Sequence, residues 1–327
     1  MSFHFRCSRY GVGIYYDFIS SLSQGWPKPA APACSCRRRA FRRGRRDAPK
    51  SRTIHPPHAH RHHRSVAGRR IGPAVGSRRH RAADIGQIVF VSTTGTMTPS
   101  LPSRMIAKMG FAPDTRCVPL FGYGCAGGVI GLGVAADLFR ANPDKPVLLV
   151  SLELCSLAYD HARMDKKDMV ALALFADGCA AAVIGAGPGP ALSAFASHVW
   201  PDTLDMMGWE IGDTGFDLVL ARDIPVFVNS HFAPVCDDFL ARQGLAKSGM
   251  AEPACHPGGG RVVDALADYL GDDLAMTRSV LRAHGNMSSP TVLFVLEALL
   301  AAGSIAKPTL LTALGPGFVG AMGVLKP

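Results

Sequence analysis

Cys125 stands in the run Pro119-Leu-Phe-Gly-Tyr-Gly-Cys-Ala-Gly-Gly128, where a strand end gives way to an apolar stretch of helical character. A thiol at a helix N-terminus feels the positive end of the helix dipole, which favours thiolate. The flanking glycines let backbone and a substrate carbonyl approach the sulfur. That chemistry is nucleophilic acyl transfer. The competing reading is a buried, inert cysteine, since free Cys is among the most buried residue types. Two later motifs bear on the choice. His256 lies in Cys255-His-Pro-Gly-Gly-Gly260, and Asn286 in His284-Gly-Asn-Met-Ser-Ser-Pro290. Alone, His256 reads as a satisfied core or surface histidine and Asn286 as a helix cap. Together, Cys, His and Asn in Gly-flanked turns form a set with a physical logic. The imidazole can hold a thiolate as an ion pair, and imidazole and amide N–H groups can donate to one oxyanion.

Such a set has to be positioned by strands and helices. A β-branched, apolar run over 84–92 predicts a buried strand, followed by a turn at Thr93-Thr-Gly-Thr96 and a helix over 103–110. A strand over 118–121 leads to Cys125, and a helix over 129–140 follows it. Strands are expected over 146–154 and 179–185, with a helix over 167–175 between them. From about residue 191 a second half repeats the alternation. It has a strand over 216–220, an amphipathic helix over 224–243, and a strand end at 253–257 feeding a helix over 261–270. A helix over 291–302 precedes two apolar strands over 309–314 and 320–325, joined by Gly315-Pro-Gly317. Alternating strands and helices in both halves make the class α/β, with helix-covered sheets.

Charge divides the chain unequally. Of its 327 residues and formal charge of +10, residues 1–83 hold 19 Lys and Arg against two acids, leaving 16 against 23 in the remainder. The first quarter carries arginine runs over 37–46 and a histidine-rich run over 55–63, and its apolar periodicity fades after Trp26. Three readings stay open: a basic nucleic-acid-binding arm, a transit-type or disordered leader, or out-of-frame reading of GC-rich coding DNA. The acidic body argues against a nucleic-acid surface on the folded part. Nine scattered cysteines form no CxxC pair, so neither a zinc site nor a disulfide framework is expected, and a reduced, cytoplasmic protein fits. No segment reads as a membrane helix or a signal peptide. The glycines around Cys125 do not make a dinucleotide fingerprint.

The motifs resemble the type III polyketide synthases, the chalcone synthase-like enzymes, in a bacterial style, over about residues 84–327. The resemblance rests on Val91-Ser-Thr-Thr-Gly95, Gly122-Tyr-Gly-Cys-Ala-Gly-Gly128, Ala173-Leu-Phe-Ala-Asp-Gly178, Met207-Gly-Trp-Glu-Ile-Gly-Asp213, His256-Pro-Gly-Gly259, Gly285-Asn-Met-Ser-Ser289 and Leu314-Gly-Pro-Gly317, all in the family's order. It implies a thiolase-like fold of two similar α/β halves, 84–190 and 191–327, in a five-layered αβαβα core and a homodimer. Cys125 would take an acyl group from coenzyme A. His256 would stabilise its thiolate, and His256 with Asn286 would stabilise the enolate formed as malonyl-CoA loses CO₂. No metal or organic cofactor is implied, and acyl-CoA and malonyl-CoA are the small-molecule partners. By position, Phe175 and Phe216 would gate the cavity and Cys155 and Ala158 would line it. The small Ala158 would leave room for a long acyl chain, pointing to alkylpyrone or alkylresorcinol products. Gly315, Pro316 and Gly317 would shape the cavity floor.

Two departures stand out. The family has some 80 folded residues before the strand at 88–91, and residues 1–83 match none of them. The first half is therefore expected to be incomplete, its sheet short of a strand and open at an edge. Ala176 stands where the family has Gly after its gating Phe. A ketoacyl synthase of fatty-acid initiation shares the Cys-His-Asn set, but the runs around His256 and Asn286 favour the polyketide branch. A papain-like protease lacks support, since no Trp neighbours Cys125. A catalytically inactive remnant is the remaining rival.

Overall fold

The computed structural model describes residues 2–6 and 80–327, apart from 159–165, 188 and 213–214. In chain order the elements are β1 (Ser2–Arg6), β2 (Gln87–Val91), α1 (Leu101–Met109), β3 (Arg116–Leu120), α2 (Gly127–Ala141) and β4 (Val147–Glu153). Then come α3 (Lys166–Leu174), β5 (Gly178–Gly185), β6 (Ala191–Val199), β7 (Met207–Gly212) and β8 (Gly215–Leu220). The chain continues through α4 (Ile224–Phe227), α5 (Ala233–Arg242), β9 (Ala254–Cys255), α6 (Gly260–Leu270), α7 (Ala275–His284), α8 (Thr291–Ala301), β10 (Thr309–Gly315) and β11 (Val319–Lys326). Among the described residues, the strands other than β7 and β8 join in the order β3-β2-β4-β5-β1-β6-β11-β10-β9, and β7 and β8 pair as a hairpin.

The helix after Cys125 organises the core. α2 packs against β2, β4 and β5 on one side and against β6, β10 and β11 on the other, with α8 beside it. The two ends of the sheet thus enclose a helix pair. Small residues make this possible: a side chain at Gly131 would strike Val91 and Leu149, and one at Gly133 would strike Phe195. β10 and β11 read as unbroken apolar runs because both faces are buried. Leu311, Ala313, Val319 and Ala321 face the helix pair, with Leu132, Leu149, Leu293 and Leu296. Leu310, Leu314, Met322 and Val324 face outward under Phe232, Phe239, Leu240 and Leu266. Each such Leu, fully buried, contributes about 1.5–3 kcal/mol relative to exposure. The described residues therefore give sheet, helix pair, sheet and outer helices in succession, as the layered two-half core implies.

Three expectations need correction. The first half does not lack its strand: β1 runs antiparallel to β5 from Ser2↔Gly185 to Arg6↔Ala181 and meets β6 at Ser2↔Ala191. Ladder hydrogen bonds are made by backbone, so an edge accepts a short extended segment with little demand on its sequence. Residues 7–79, with their arginine and histidine runs, lie outside the described residues.

The helix expected over 224–243 is interrupted. A π turn at Val228–Phe232 separates α4 from α5, and the Ala233 N–H donates five residues back to Val228. Pro234 has no N–H to continue the four-residue ladder, so the turn widens there.

One helical stretch, 124–141, is long and apolar enough to cross a membrane by length and composition, against the expectation of none. It is 67% buried inside the protein, being the core helix α2 with its preceding turn.

Candidate active site

Cys125 occupies a 3₁₀ turn, Gly124–Ala126, between the loop after β3 and the first turn of α2, and is 7% exposed. Gly124 has φ of +44°, and a side chain there would stand 2.7 Å from Pro316. Only glycine satisfies both the backbone and the contact, which is why the nucleophile turn can lie against the β10–β11 connection. The Gly124 N–H donates to Thr93 Oγ1 at 3.0 Å, so the loop after β2 holds the turn from the other side.

Asn286 is brought to the sulfur by a different route. Its backbone forms a parallel bridge with Phe175: the Asn286 N–H donates to Leu174 and the Ala176 N–H to Asn286 oxygen, each at 2.9 Å. The side chain is 1% exposed. Its Oδ1 accepts the Ser288 N–H at 2.8 Å and lies 3.9 Å from Cys125 Sγ. Its Nδ2 donates to Gly258 oxygen at 3.2 Å, which leaves one N–H for a substrate oxygen. Ser288 adopts φ of +59° and puts its Oγ 3.7 Å from the sulfur. The Asn286 side chain closing on the Ser288 N–H is an Asx-type turn, which supports that backbone conformation.

His256 follows β9, which pairs with β10, and its N–H donates to Thr312 oxygen at 2.8 Å. The ring is 3% exposed and passes alongside Gly258, whose carbonyl anchors Asn286. Among the described residues neither ring nitrogen has a hydrogen-bond partner.

Burial dominates the electrostatics. It pushes the Cys125 thiol up to about 11, with the negative charge of Glu153 adding to the rise and the Ser288 and Asn286 hydrogen bonds opposing it. It pushes His256 down to about 3. The dipole of α2 is thus outweighed by desolvation, and the free site favours neutral thiol and neutral imidazole.

One cavity opens on Cys125, Asn286 and Ser288. Phe175, Cys155 and Pro316 line it. Phe216 reaches it through Trp209: the indole lies on the wall, with Phe175 at 5.9 Å and Phe216 at 6.1 Å from it between ring centres. Ala158, half-buried in the turn Cys155–Ala158, is not on that wall, and neither are Gly315 and Gly317, which flank Pro316. Sequence reasoning missed Thr93, Thr94, Glu153, Met207, Trp209 and Ser288, all of which line the cavity. Five of the six, all but Glu153, fall inside the quoted motif runs 91–95, 207–213 and 285–289, which was the available signal. No group of three or more potential metal-binding side chains is present among the described residues.

The comparisons with known proteins agree with this geometry. Residues 72–188 match the family model described as chalcone and stilbene synthases, N-terminal domain, and 191–319 the corresponding C-terminal domain. A 1,3,6,8-tetrahydroxynaphthalene synthase of Streptomyces peucetius is 39% identical over 249 residues, covering 72% of this chain and 66% of that protein. A polyketide synthase-like protein of alpha-pyrone synthesis from Mycobacterium tuberculosis is 33% identical over 253 residues, covering 73% and 64%. The chain therefore spans just under two thirds of the length of these two relatives. The crystal structure of the Streptomyces coelicolor 1,3,6,8-tetrahydroxynaphthalene synthase, a bacterial type III polyketide synthase, superposes with a TM-score of 0.72 at 32% identity, over 75% of this chain and 72% of that one. That likeness shows the thiolase-like fold. With both domains matched and the fold shared, the chain belongs to the chalcone and stilbene synthase family of type III polyketide synthases.

Proposed function

We propose that this chain condenses an acyl-CoA starter with malonyl-CoA by decarboxylative Claisen chemistry and cyclises the product. The observation that supports it most is that the Cys125 sulfur and the Asn286 amide open on one apolar-walled cavity, with the buried His256 ring alongside Gly258, whose carbonyl holds the amide. Cys125 gives its proton to His256 and attacks the starter thioester, and coenzyme A leaves as the thiol. Malonyl-CoA then loses CO₂. The electron pair of the broken C–C bond becomes an enolate whose oxygen accepts N–H groups of Asn286 and of His256, neutral once coenzyme A has taken its proton. The enolate carbon attacks the Cys125 thioester, and the sulfur leaves as a thiolate that a proton from solvent returns to the starting thiol. Charge builds on a carbonyl oxygen in both steps, which suits fixed donors in a water-poor site. The reading needs no metal or organic cofactor: decarboxylation itself supplies the carbanion.

The product class we propose is an alkylpyrone, alkylresorcinol or related ring. A specific observation favours a second product reading with a smaller starter. Ala158 is not on the cavity wall, whereas the bulky Trp209 and Met207 are, and one relative is named for tetrahydroxynaphthalene synthesis. A cytoplasmic homodimer completes the proposal. β3 is an edge strand, and Phe121 and Tyr123, just after it, are exposed.

The test is incubation of the full-length chain with malonyl-CoA, alone and with acyl-CoA starters from acetyl to palmitoyl, following CO₂ and products by mass spectrometry. Ring products from free coenzyme A thioesters are expected, and the preferred starter decides between the two product readings. Folded protein that releases no CO₂, or that demands an acyl carrier protein, contradicts the proposal.

A further inference from the structure

Glu153, the last residue of β4, is a carboxylate with 0% exposure, and the reaction described above leaves it without a role. Its Oε1 accepts the Thr93 N–H at 3.0 Å and the Ser289 hydroxyl at 3.1 Å. Its Oε2 accepts the Thr93 N–H at 3.1 Å, the Thr94 N–H at 3.0 Å and the Thr94 hydroxyl at 2.7 Å. Backbone N–H groups can only donate, so the acceptor-only ionised form is the one these partners serve. Burying a carboxylate is costly unless it is fully hydrogen-bonded, and no such group is needed to fill an apolar core.

The donors belong to segments that carry the reacting groups. Thr93 also accepts the N–H of Gly124, the residue before Cys125, at 3.0 Å. Thr94 Oγ1 accepts the Leu154 N–H at 2.8 Å, which closes the frame back onto β4. Ser289 follows Ser288 in the Asn286 loop, and its hydroxyl pairs with Ser151 Oγ at 2.7 Å. We propose that Glu153 is a positioning residue: its carboxylate gathers the nucleophile turn and the Asn286 loop into one hydrogen-bonded frame, and so sets the approach of Cys125 and Asn286 to a thioester carbonyl. The proposal rests on the reading of Cys125 and Asn286 given above. Such a frame acts on rate through alignment, since a small misplacement of reacting groups costs far more in turnover than in binding.

The carboxylate also bears on the sulfur electrostatically. Glu153 is among the groups raising the Cys125 thiol, and burial raises Glu153 itself against the Thr94 and Thr93 hydrogen bonds. The other titratable groups at the site are Cys155, on the same wall, His256 behind Gly258, and Asp177, which acts on Cys155.

Glu153→Gln tests the role. The amide can turn its nitrogen to Ser289 Oγ and its oxygen to Thr93 and Thr94, so most of the frame survives while the charge is lost. Iodoacetamide labelling of Cys125, localised by peptide mass spectrometry, is followed against pH. Removing a like charge is expected to shift the labelling midpoint about one unit lower, which is about tenfold faster labelling below both midpoints. Malonyl-CoA decarboxylation is expected to fall about tenfold in kcat with KM little changed. A purely structural role would move the melting temperature and leave the labelling profile in place, so a profile that superimposes on wild type overturns the proposal. Should Glu153→Gln fail to fold, Ser289→Ala removes a single hydroxyl donor. It is expected to lower kcat severalfold at constant KM, and an unchanged kcat overturns the proposal. If the wild-type chain labels at Cys125 but releases no CO₂, the reaction reading fails while the labelling profile still decides the place of Glu153.

Discussion

Cys125→Ala is expected to abolish condensation while leaving malonyl-CoA decarboxylation in place. Product formation should drop by roughly 10⁶-fold, the scale set by loss of a nucleophile in other covalent enzymes. The separation of the two activities follows from the geometry. Among the described residues the sulfur has two loose polar contacts, at 3.7 Å to Ser288 and 3.9 Å to Asn286. The loops around it are held by other bonds: Gly124 to Thr93, Asn286 to Leu174 and Gly258, and Ser289 to Glu153. Replacing the thiol by a methyl group therefore removes the acceptor of the starter acyl group without moving the donors that face an enolate. CO₂ release measured alongside product separates the two. Equal loss of both would mean that the sulfur supports the loops, and unimpaired product would remove Cys125 from the chemistry.

Asn286→Ala is expected to have the complementary signature. Loss of one oxyanion donor costs about 10²–10³ in rate, so decarboxylation should fall by that amount while acylation of Cys125 by a starter continues. Two groups lose their partner with the amide, the buried Ser288 N–H and the half-buried Gly258 carbonyl. Each costs about 1–3 kcal/mol when left unpaired. Asn286→Asp is the control, because it restores an acceptor for Ser288 without restoring the donor. It should recover part of the thermal stability and none of the decarboxylation rate. Normal CO₂ release by the folded Ala variant would take the enolate out of the reach of Asn286.

These roles were unequally legible in the chain. The nucleophile turn declares itself because its glycines, helix start and strand end lie within a dozen residues. β2, β4, β10 and β11 are legible because burial on both faces leaves continuous apolar runs. By contrast β6, with Ala, Ser and His at half-exposed positions, carries no clean alternation. α7, with few buried residues, has a thin apolar stripe. β1 is visible only through its register with β5, because its ladder depends on backbone rather than on side-chain pattern. At the site, Cys125, His256 and Asn286 are marked by local sequence. Glu153 is not, because what it does is defined by partners far along the chain, Thr93 and Ser289. Phe216 and Trp209 show the same limit: position in the sequence pointed to Phe216 and passed over Trp209, and only packing shows which ring forms the wall. The ionisation state of the sulfur is likewise set by burial, which reverses the preference for thiolate that the α2 dipole alone suggests.

The most direct test of the central claim is intact-protein mass spectrometry of the full-length chain, quenched in acid after mixing with a starter acyl-CoA. The predicted result is a mass gain of one acyl group, located on the peptide containing Cys125. The gain should be lost within one turnover when malonyl-CoA is added, and should be absent in Cys125→Ala. No adduct on a folded chain, or an adduct on another cysteine that malonyl-CoA does not discharge, would contradict the claim that Cys125 carries the growing acyl chain.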